Sequence, residues 1–202
     1  MSKLIRTALV GVGLGASVAS IAGCSPASSG DEVVYHASYP VYSSVEDLES
    51  SSDLIVIGTP ISSEVRQIDV AAEAPVPGDS ELDPGSGDVE GEELSSLLTY
   101  TVYEVEVDQV LQGDARRGET VEVAILGGTM GGVTYREAEG IDPLALNEDA
   151  AFYLAAFEGA PYQPLNSAQS IYAKSSDSTF TSVGVENPIS RDVAASLRAV
   201  TE

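Results

Sequence analysis

Histidine and cysteine, the side chains most often used for nucleophilic catalysis and zinc binding, each occur once in this chain, as His36 and Cys24. A Ser-His or Cys-His nucleophile needs both partners in one site, and the position of His36 near the start of the chain favours a half-buried strand residue instead. Zinc sites made of Cys and His are excluded by the counts. The sequence therefore predicts no catalytic residue of these types, and any metal site would have to consist of carboxylates.

Four carboxylates have the spacing of a calcium-binding EF-hand loop. Asp79, Glu81, Asp83 and Glu90 occupy its first, third, fifth and twelfth positions. Pro84, however, stands where that loop requires glycine, and no helical pattern flanks the segment. The spacing predicts at most weak calcium binding by these four residues, and no other cofactor is expected.

A second set of carboxylates lies on one face of a predicted strand. Glu104, Glu106 and Asp108 alternate with apolar residues, and Glu122 of the next strand could join them. Paired carboxylates are the machinery of glycoside hydrolysis. The solvated outer face of a strand in an acidic protein gives the same pattern, and this is the interpretation that we favour.

The amino terminus has the layout of a secretory signal peptide. Lys3 and Arg6 precede an uncharged stretch, 7–23, that is rich in Ala, Leu, Val, Gly and Ser. The stretch is too short and too rich in glycine for a transmembrane span, which needs about 20 apolar residues. It predicts export of the chain.

The end of this stretch, Ile21, Ala22 and Gly23 followed by Cys24, resembles the bacterial lipobox. The resemblance implies that residues 1–23 are removed and that Cys24 carries a diacylglycerol, which makes membrane lipid its first partner. Two or more acyl chains anchor a protein stably. We therefore expect a protein bound to the cell membrane, facing outside the cytoplasm, with residues 24–31 as a flexible tether of small and polar residues.

The part of the chain after the signal peptide is strongly acidic. Lys3 and Arg6 are two of the nine basic residues, which leaves seven against 32 acidic residues and a formal charge of −25. Such a charge repels nucleic acid and anionic headgroups, so no nucleic-acid partner is expected. With a single cysteine there is no intramolecular disulfide, and stability must come from an apolar core.

The remaining residues, 32–202, predict one domain made mainly of β-strands. A capping box at Ser44 opens a short helical turn, and an amphipathic helix with Val193, Leu197 and Val200 on one stripe closes the chain. Strands are predicted at 53–59, 99–108, 121–125, 133–138, 150–157, 166–173 and 179–185.

Three connections in this domain have distinctive sequences. The turn at 112–118 joins two strands that we expect to pair antiparallel, with a bulge near Gln109. The glycines at 127–132 predict a hairpin or loop between strands. Residues 71–96 contain eight acidic residues and no basic one, which predicts a disordered acidic loop inserted between two strands of one sheet.

The segments 51–58, 100–113 and 147–154, in this order, resemble the netrin or tissue-inhibitor type of OB barrel. The resemblance implies a small antiparallel β-barrel, OB-like, although a β-sandwich is also compatible with the strand pattern, in each case with a C-terminal α-helix. The inhibitor activity of that family is not implied, because its free amino-terminal cysteine would here be the lipidated Cys24.

The sequence thus favours a membrane-anchored cell-envelope lipoprotein that acts as a non-catalytic binding or interaction module for an unknown protein or envelope polymer. Two alternatives remain open at this point. One is a carboxylate-based hydrolase of a cell-envelope polymer, and the other is an acidic, cation-binding surface protein.

The anchor can be tested by metabolic labelling with a clickable fatty acid. We expect the wild-type chain to incorporate the label and to stay with the membrane fraction, and Cys24→Ala to lose the label because the lipid-bearing thiol is gone. Label retained by the variant, or release of the wild type into the medium, would contradict the lipobox interpretation.

Overall fold

The computed structural model describes residues 30–70, 97–184 and 187–201. Strands dominate, as the sequence predicted, and a helix closes the chain. The elements are β1 (Glu32–Tyr35), α1 (Val45–Ser50), β2 (Leu54–Asp69), β3 (Leu97–Gln112), β4 (Thr120–Met130), β5 (Val133–Glu137), β6 (Ala150–Ala155), β7 (Gln163–Pro164), β8 (Ile171–Lys174), β9 (Phe180–Ser182) and α2 (Ser190–Thr201).

The strands form one nine-stranded sheet in the order β1-β5-β4-β3-β2-β6-β8-β9, with β7 paired to β6. Every strand ladder is antiparallel except that of β1 with β5. A sandwich requires two sheets, and the strands of the described residues form one. The predicted antiparallel pair is confirmed as β3 and β4. The predicted acidic loop, 71–96, lies outside the described residues, and the strands on either side of it, β2 and β3, pair directly.

The sheet curls far enough for β4 to reach the segment that follows β6. The amide of Ala124 donates to the carbonyl of Tyr162 at 2.8 Å, and the amide of Tyr162 donates to the carbonyl of Glu122 at 3.0 Å. Residues 163–164 then pair with β6. The result is a ring made of β2, β3, β4, residues 162–164 and β6. A short bridge at Tyr162, not a full strand ladder, completes the ring.

Two apolar layers explain why the sequences of β2 and β6 contain continuous hydrophobic runs. Leu54 and Val56 of β2 point into the ring with Phe152 of β6, and the intervening residues, such as Ile55 and Tyr153, point outward. The outward layer is covered by α1 and α2, and Leu48, Val193 and Leu197 of these helices are buried there. Both faces of β6 and of residues 54–58 of β2 are therefore buried, and alternation of apolar and polar residues is lost there.

The alternation of apolar and acidic residues along β3 matches the different environments of the two faces of this strand. Tyr103, Val105 and Val107 are at most 2% exposed inside the ring. Glu104, Glu106 and Asp108 are exposed on the other face, as the sequence predicted. Nearer the amino end of β3, Tyr100 and Val102 are buried on that second face in a smaller cluster with Ala124.

Curvature of the ring depends on irregular pairing between β2 and β3. The register shifts at Asp108 and again at Leu111, which places bulges on both sides of Gln109. The sequence predicted a bulge near Gln109 in the pair of β3 and β4 instead, where the register from Tyr100 to Glu106 is continuous. At Gly58 a Cβ atom would lie 2.5 Å from the carbonyl oxygen of Glu106. Only glycine permits this close approach of the two backbones.

Several sequence predictions were wrong in detail. Gly127 and Gly128 belong to β4, and only Gly131 and Gly132 form the hairpin turn, with φ of 61° and 86°. Residues 166–170 form a turn and not a strand, because their polar groups bond to one another and to residues 40–42. Val200 is 49% exposed, since α2 contacts the sheet mainly through Val193 and Leu197.

The first strand was also missed. β1 pairs in parallel with β5 at the edge of the sheet, and its short exposed sequence shows no alternation. His36 follows β1 and is exposed, so the prediction of a half-buried strand residue was wrong.

The ring interior can be tested at Val105, which is fully buried. Val105→Ala should lower the free energy of unfolding by about 1 to 3 kcal/mol, because it removes buried methyl groups and leaves a cavity. The neighbouring Glu104→Gln changes an exposed side chain and should alter stability by less than about 0.5 kcal/mol. Chemical denaturation measures both, and the reverse order of effects would contradict the assignment of the two faces.

Candidate functional site

The site residues predicted from the sequence motifs lie outside the described residues. These are the lipidation site Cys24, the lipobox residues Ile21, Ala22 and Gly23, and the calcium candidates Asp79, Glu81, Asp83 and Glu90. Within the described part of the chain, no group of three or more His, Cys, Asp or Glu side chains is arranged to hold a metal ion.

The carboxylates on the outer face of β3 are engaged with neighbours on the surface. Glu104 accepts a hydrogen bond from the Ser62 hydroxyl at 2.6 Å, and Glu122, opposite Glu104 in the ladder, pairs with Arg66 at 2.8 Å. Asp108 accepts a hydrogen bond from Thr59 at 3.2 Å. These side chains are exposed, which agrees with a solvated strand face.

A different carboxylate lies in a concave site. A cleft of about 690 Å³ opens between the segment after β1, the turn after β5 and the turn before β8. It is lined by Ala37, Ser38, Tyr39, Val41, Glu137, Ala138, Glu139, Gly140, Asn166, Ser167, Ala168, Gln169 and Pro188. No two of these three segments are adjacent in sequence, so the cleft is assembled only by the tertiary fold.

Glu137, the last residue of β5, lies in this cleft and is only 7% exposed. Its Oε2 atom accepts a hydrogen bond from the Ser167 hydroxyl at 3.1 Å and a longer one from the Tyr39 hydroxyl at 3.4 Å. Burial raises the pKa of the Glu137 carboxyl above its usual value, and the nearby charge of Glu139 adds to this, while the two hydroxyl donors oppose it. Among described residues, no basic side chain forms an ion pair with Glu137 within 4.0 Å.

Tyr39 shares the environment of Glu137. Burial, followed by the charge of Glu137, strongly raises the pKa of the Tyr39 hydroxyl. The phenol therefore stays protonated and serves as a hydrogen-bond donor to the carboxylate.

The walls of the cleft are held by two buried side-chain amides. Gln169 is 1% exposed, and its amide group accepts from the Tyr42 amide at 2.9 Å and donates to the Tyr42 carbonyl at 3.0 Å. The side chain of Asn166 donates to the carbonyl of Pro40 at 2.9 Å. These bonds fix the segment that carries Tyr39 against the turn that carries Ser167.

The cleft is poorly arranged for acyl transfer. Ser167 donates to Glu137, but an oxyanion would also need free amide donors close to the serine. The amides of Ala168, Gln169 and Ser170 are already bonded, to the side-chain or backbone oxygen of Asn166. The local geometry therefore suits binding of a ligand better than stabilisation of a tetrahedral intermediate.

Comparison with known proteins adds no assignment: a scan against protein-family models, a search of curated proteins and a search of solved structures each gave no match. The netrin or tissue-inhibitor resemblance is thus not supported by any of the three. None of the described helices has the length and apolar character to cross a membrane.

Reasoning from the sequence missed this cleft, although one signal was present. Val133, Tyr135 and Glu137 are every second residue of β5, so their side chains lie on one face of the strand. A carboxylate that continues an apolar face is a candidate for a buried charge. Its partners, Tyr39 and Ser167, lie about 98 and 30 positions away, so no local pattern joins them.

The raised pKa of Glu137 predicts a pH-dependent contribution to stability. Between the unfolded pKa of about 4.3 and the higher folded pKa, the folded chain binds more protons than the unfolded chain. The stabilising contribution is complete below the unfolded pKa and is lost as pH rises through the folded pKa. Glu137→Gln has no ionisable carboxyl at this position and therefore does not lose this stability. The free energy of unfolding of the variant minus that of wild type should increase from low pH to neutral pH.

Urea denaturation of both proteins across this pH range measures the difference. Glu106→Gln, a change at an exposed carboxylate of β3, is the matched control and should give a nearly flat difference. A flat curve for Glu137→Gln, or a variant that becomes relatively less stable as pH rises, would contradict the buried-carboxylate assignment.

Proposed function

We propose that this chain is an exported, lipid-anchored protein of the cell envelope and that its folded part binds a ligand in the Glu137 cleft without catalysis. The observation that carries the proposal is a preformed cleft in which a buried carboxylate is held by Tyr39 and Ser167. Burying a carboxylate costs free energy, and such groups concentrate at functional sites. The anchor itself rests on the sequence around Cys24.

The place where the chain enters the fold is compatible with an anchor. Gly30 lies at the edge of the sheet, where a Cβ atom would be 3.2 Å from the carbonyl oxygen of Gly132 in the β4–β5 turn. Because β1 is an edge strand with largely exposed residues, a tether that ends there needs no path through the core.

A carboxylate-based hydrolase is the second candidate, and one observation favours it. Glu137 and Glu139 line the same cleft, and the pKa of Glu137 is raised, as a general acid requires. Binding is better supported because the same oxygen of Glu137 accepts both hydroxyl hydrogen bonds, and because the neighbouring turn amides are used within the turn. The acidic surface supports a general attraction for cations, and the described part of the chain holds no cluster of side chains arranged as a metal site.

The binding function can be tested by filling the cleft. Ala138 is exposed, lines the cleft and contributes only its backbone to the fold, through the hydrogen bond from its amide to the Tyr35 carbonyl. Ala138→Trp should occupy the cleft and reduce recovery of the ligand at least tenfold when the full-length protein is used as bait for solubilised cell envelope.

The matched control is Ala195→Trp, which adds the same side chain to the exposed face of α2. This variant should recover the ligand as well as wild type. Equal recovery by Ala138→Trp and wild type would contradict a binding role for the cleft. Turnover of an envelope polymer that Glu137→Gln abolishes would instead favour the hydrolase.

A further inference from the structure

We propose that the Glu137 cleft binds an alkylammonium group, the combination of a cationic head and an aliphatic stem that diamines and lysine side chains share. The inference rests on the proposed function, because it names the ligand class of the same cleft.

The polar side chains next to Glu137 direct donor protons to partners within the protein. The hydroxyls of Tyr39 and Ser167 each have one proton, and both protons are directed to Oε2 of Glu137. The amide of Gln169 is paired with the backbone of Tyr42, and the side-chain NH₂ of Asn166 is directed to the Pro40 carbonyl. A carboxylate has about four acceptor positions, so Glu137 retains acceptor capacity for a ligand that donates.

The charge of the cleft favours a cationic donor over a neutral one. Glu139 adds a second carboxylate at the exposed side of the cleft, and none of the described lining residues is basic. An ammonium group placed against Glu137 supplies the opposite charge that the buried carboxylate lacks. The acidic chain as a whole draws cations toward the site and repels anionic ligands.

The apolar part of the lining suits an aliphatic stem. Val41 is 77% exposed at the cleft, and Ala37, Ala138 and Pro188 line the same space. Lysine-like groups bind best where the methylene chain lies on apolar surface and the head reaches a carboxylate. Tyr39, an aromatic residue, also lines the cleft.

A bare metal ion fits this cleft less well. Calcium takes six to eight oxygen ligands, whereas the described residues provide no cluster of three carboxylates or other metal-binding side chains. An ammonium group needs only a few acceptors around three N–H donors. The cleft therefore matches an alkylammonium group rather than a divalent cation.

Binding should respond to pH through Glu137. The groups around it are Tyr39 from the segment after β1, Ser167 from the turn before β8 and Glu139 from the turn after β5. Tyr100 of β3 lines a small cavity with Glu137 and Tyr39. Tyr39 stays protonated, and an alkylammonium group stays charged below its pKa of about 10. Affinity should therefore rise with pH until Glu137 is fully ionised and then level off.

The test is isothermal titration calorimetry of the full-length chain in non-ionic detergent. The probes are 1,5-diaminopentane, a short peptide with one internal lysine, the same peptide with norleucine, 1,5-pentanediol and calcium chloride. We expect the two ammonium probes to bind and the neutral analogues to bind at least tenfold more weakly. The ratio of the diamine and peptide affinities distinguishes a free amine from a lysine-bearing protein as the source.

Glu137→Gln should weaken ammonium binding at least tenfold and remove its pH dependence, and Glu104→Gln, at an exposed carboxylate outside the cleft, should leave both unchanged. Ala138→Trp supplies a second variant that keeps Glu137, and it should also lose binding. Thermal unfolding of each variant verifies that it is folded.

Three results would overturn the proposal: no binding of either ammonium probe, equal binding of the neutral analogues, or calcium binding that displaces the amine and depends on Glu137. If ammonium binding fails while Ala138→Trp still loses its envelope ligand, the binding function stands with a ligand of other chemistry. If the ammonium probes bind but Ala138→Trp loses no envelope ligand, the cleft binds an alkylammonium group and the proposed function in the cell envelope is contradicted.

Discussion

The irregular pairing between β2 and β3 is the constraint on which the rest of the structure depends. These are the two longest strands, and straight strands of this length could not wrap around a small core. Bulges at Asp108 and Leu111, and the close backbone contact at Gly58, bend the pair. The curved sheet can then enclose an apolar interior, and the short bridge at Tyr162 is sufficient to join β4 to the segment that pairs with β6.

Stability without a disulfide requires other links between distant segments. The segment between β1 and α1 has little regular structure, and the paired hydrogen bonds between Gln169 and Tyr42 attach it across 127 positions of sequence. Because Gln169 is buried, the loss of its partner would leave a polar amide unsatisfied in the protein interior. The same bonds place Tyr39 beside Glu137, so the links that hold the segment also form the cleft.

The electrostatics of the protein separate into two kinds of carboxylate. Among the described carboxylates most are exposed, and their repulsion is screened by solvent and salt. Glu137 is different because burial makes its charge costly and its neighbours only partly compensate through hydrogen bonds. A group of this kind gains more from a cationic ligand than an exposed carboxylate does.

The sequence by itself determined the features that depend on neighbouring residues. It determined the predominance of strands, the two faces of β3, the helix start at Ser44 and the closing helix, because periodicity and capping are local properties. The export and lipid-anchor predictions, which concern residues 1–31, also come from local sequence alone. Only the tertiary structure decided that β1 pairs with β5, that residues 166–170 form a turn, and that Glu137, Tyr39 and Ser167 meet. The physical reason is that these contacts join segments far apart in sequence, and their geometry depends on how the bent sheet brings the ends of its strands together.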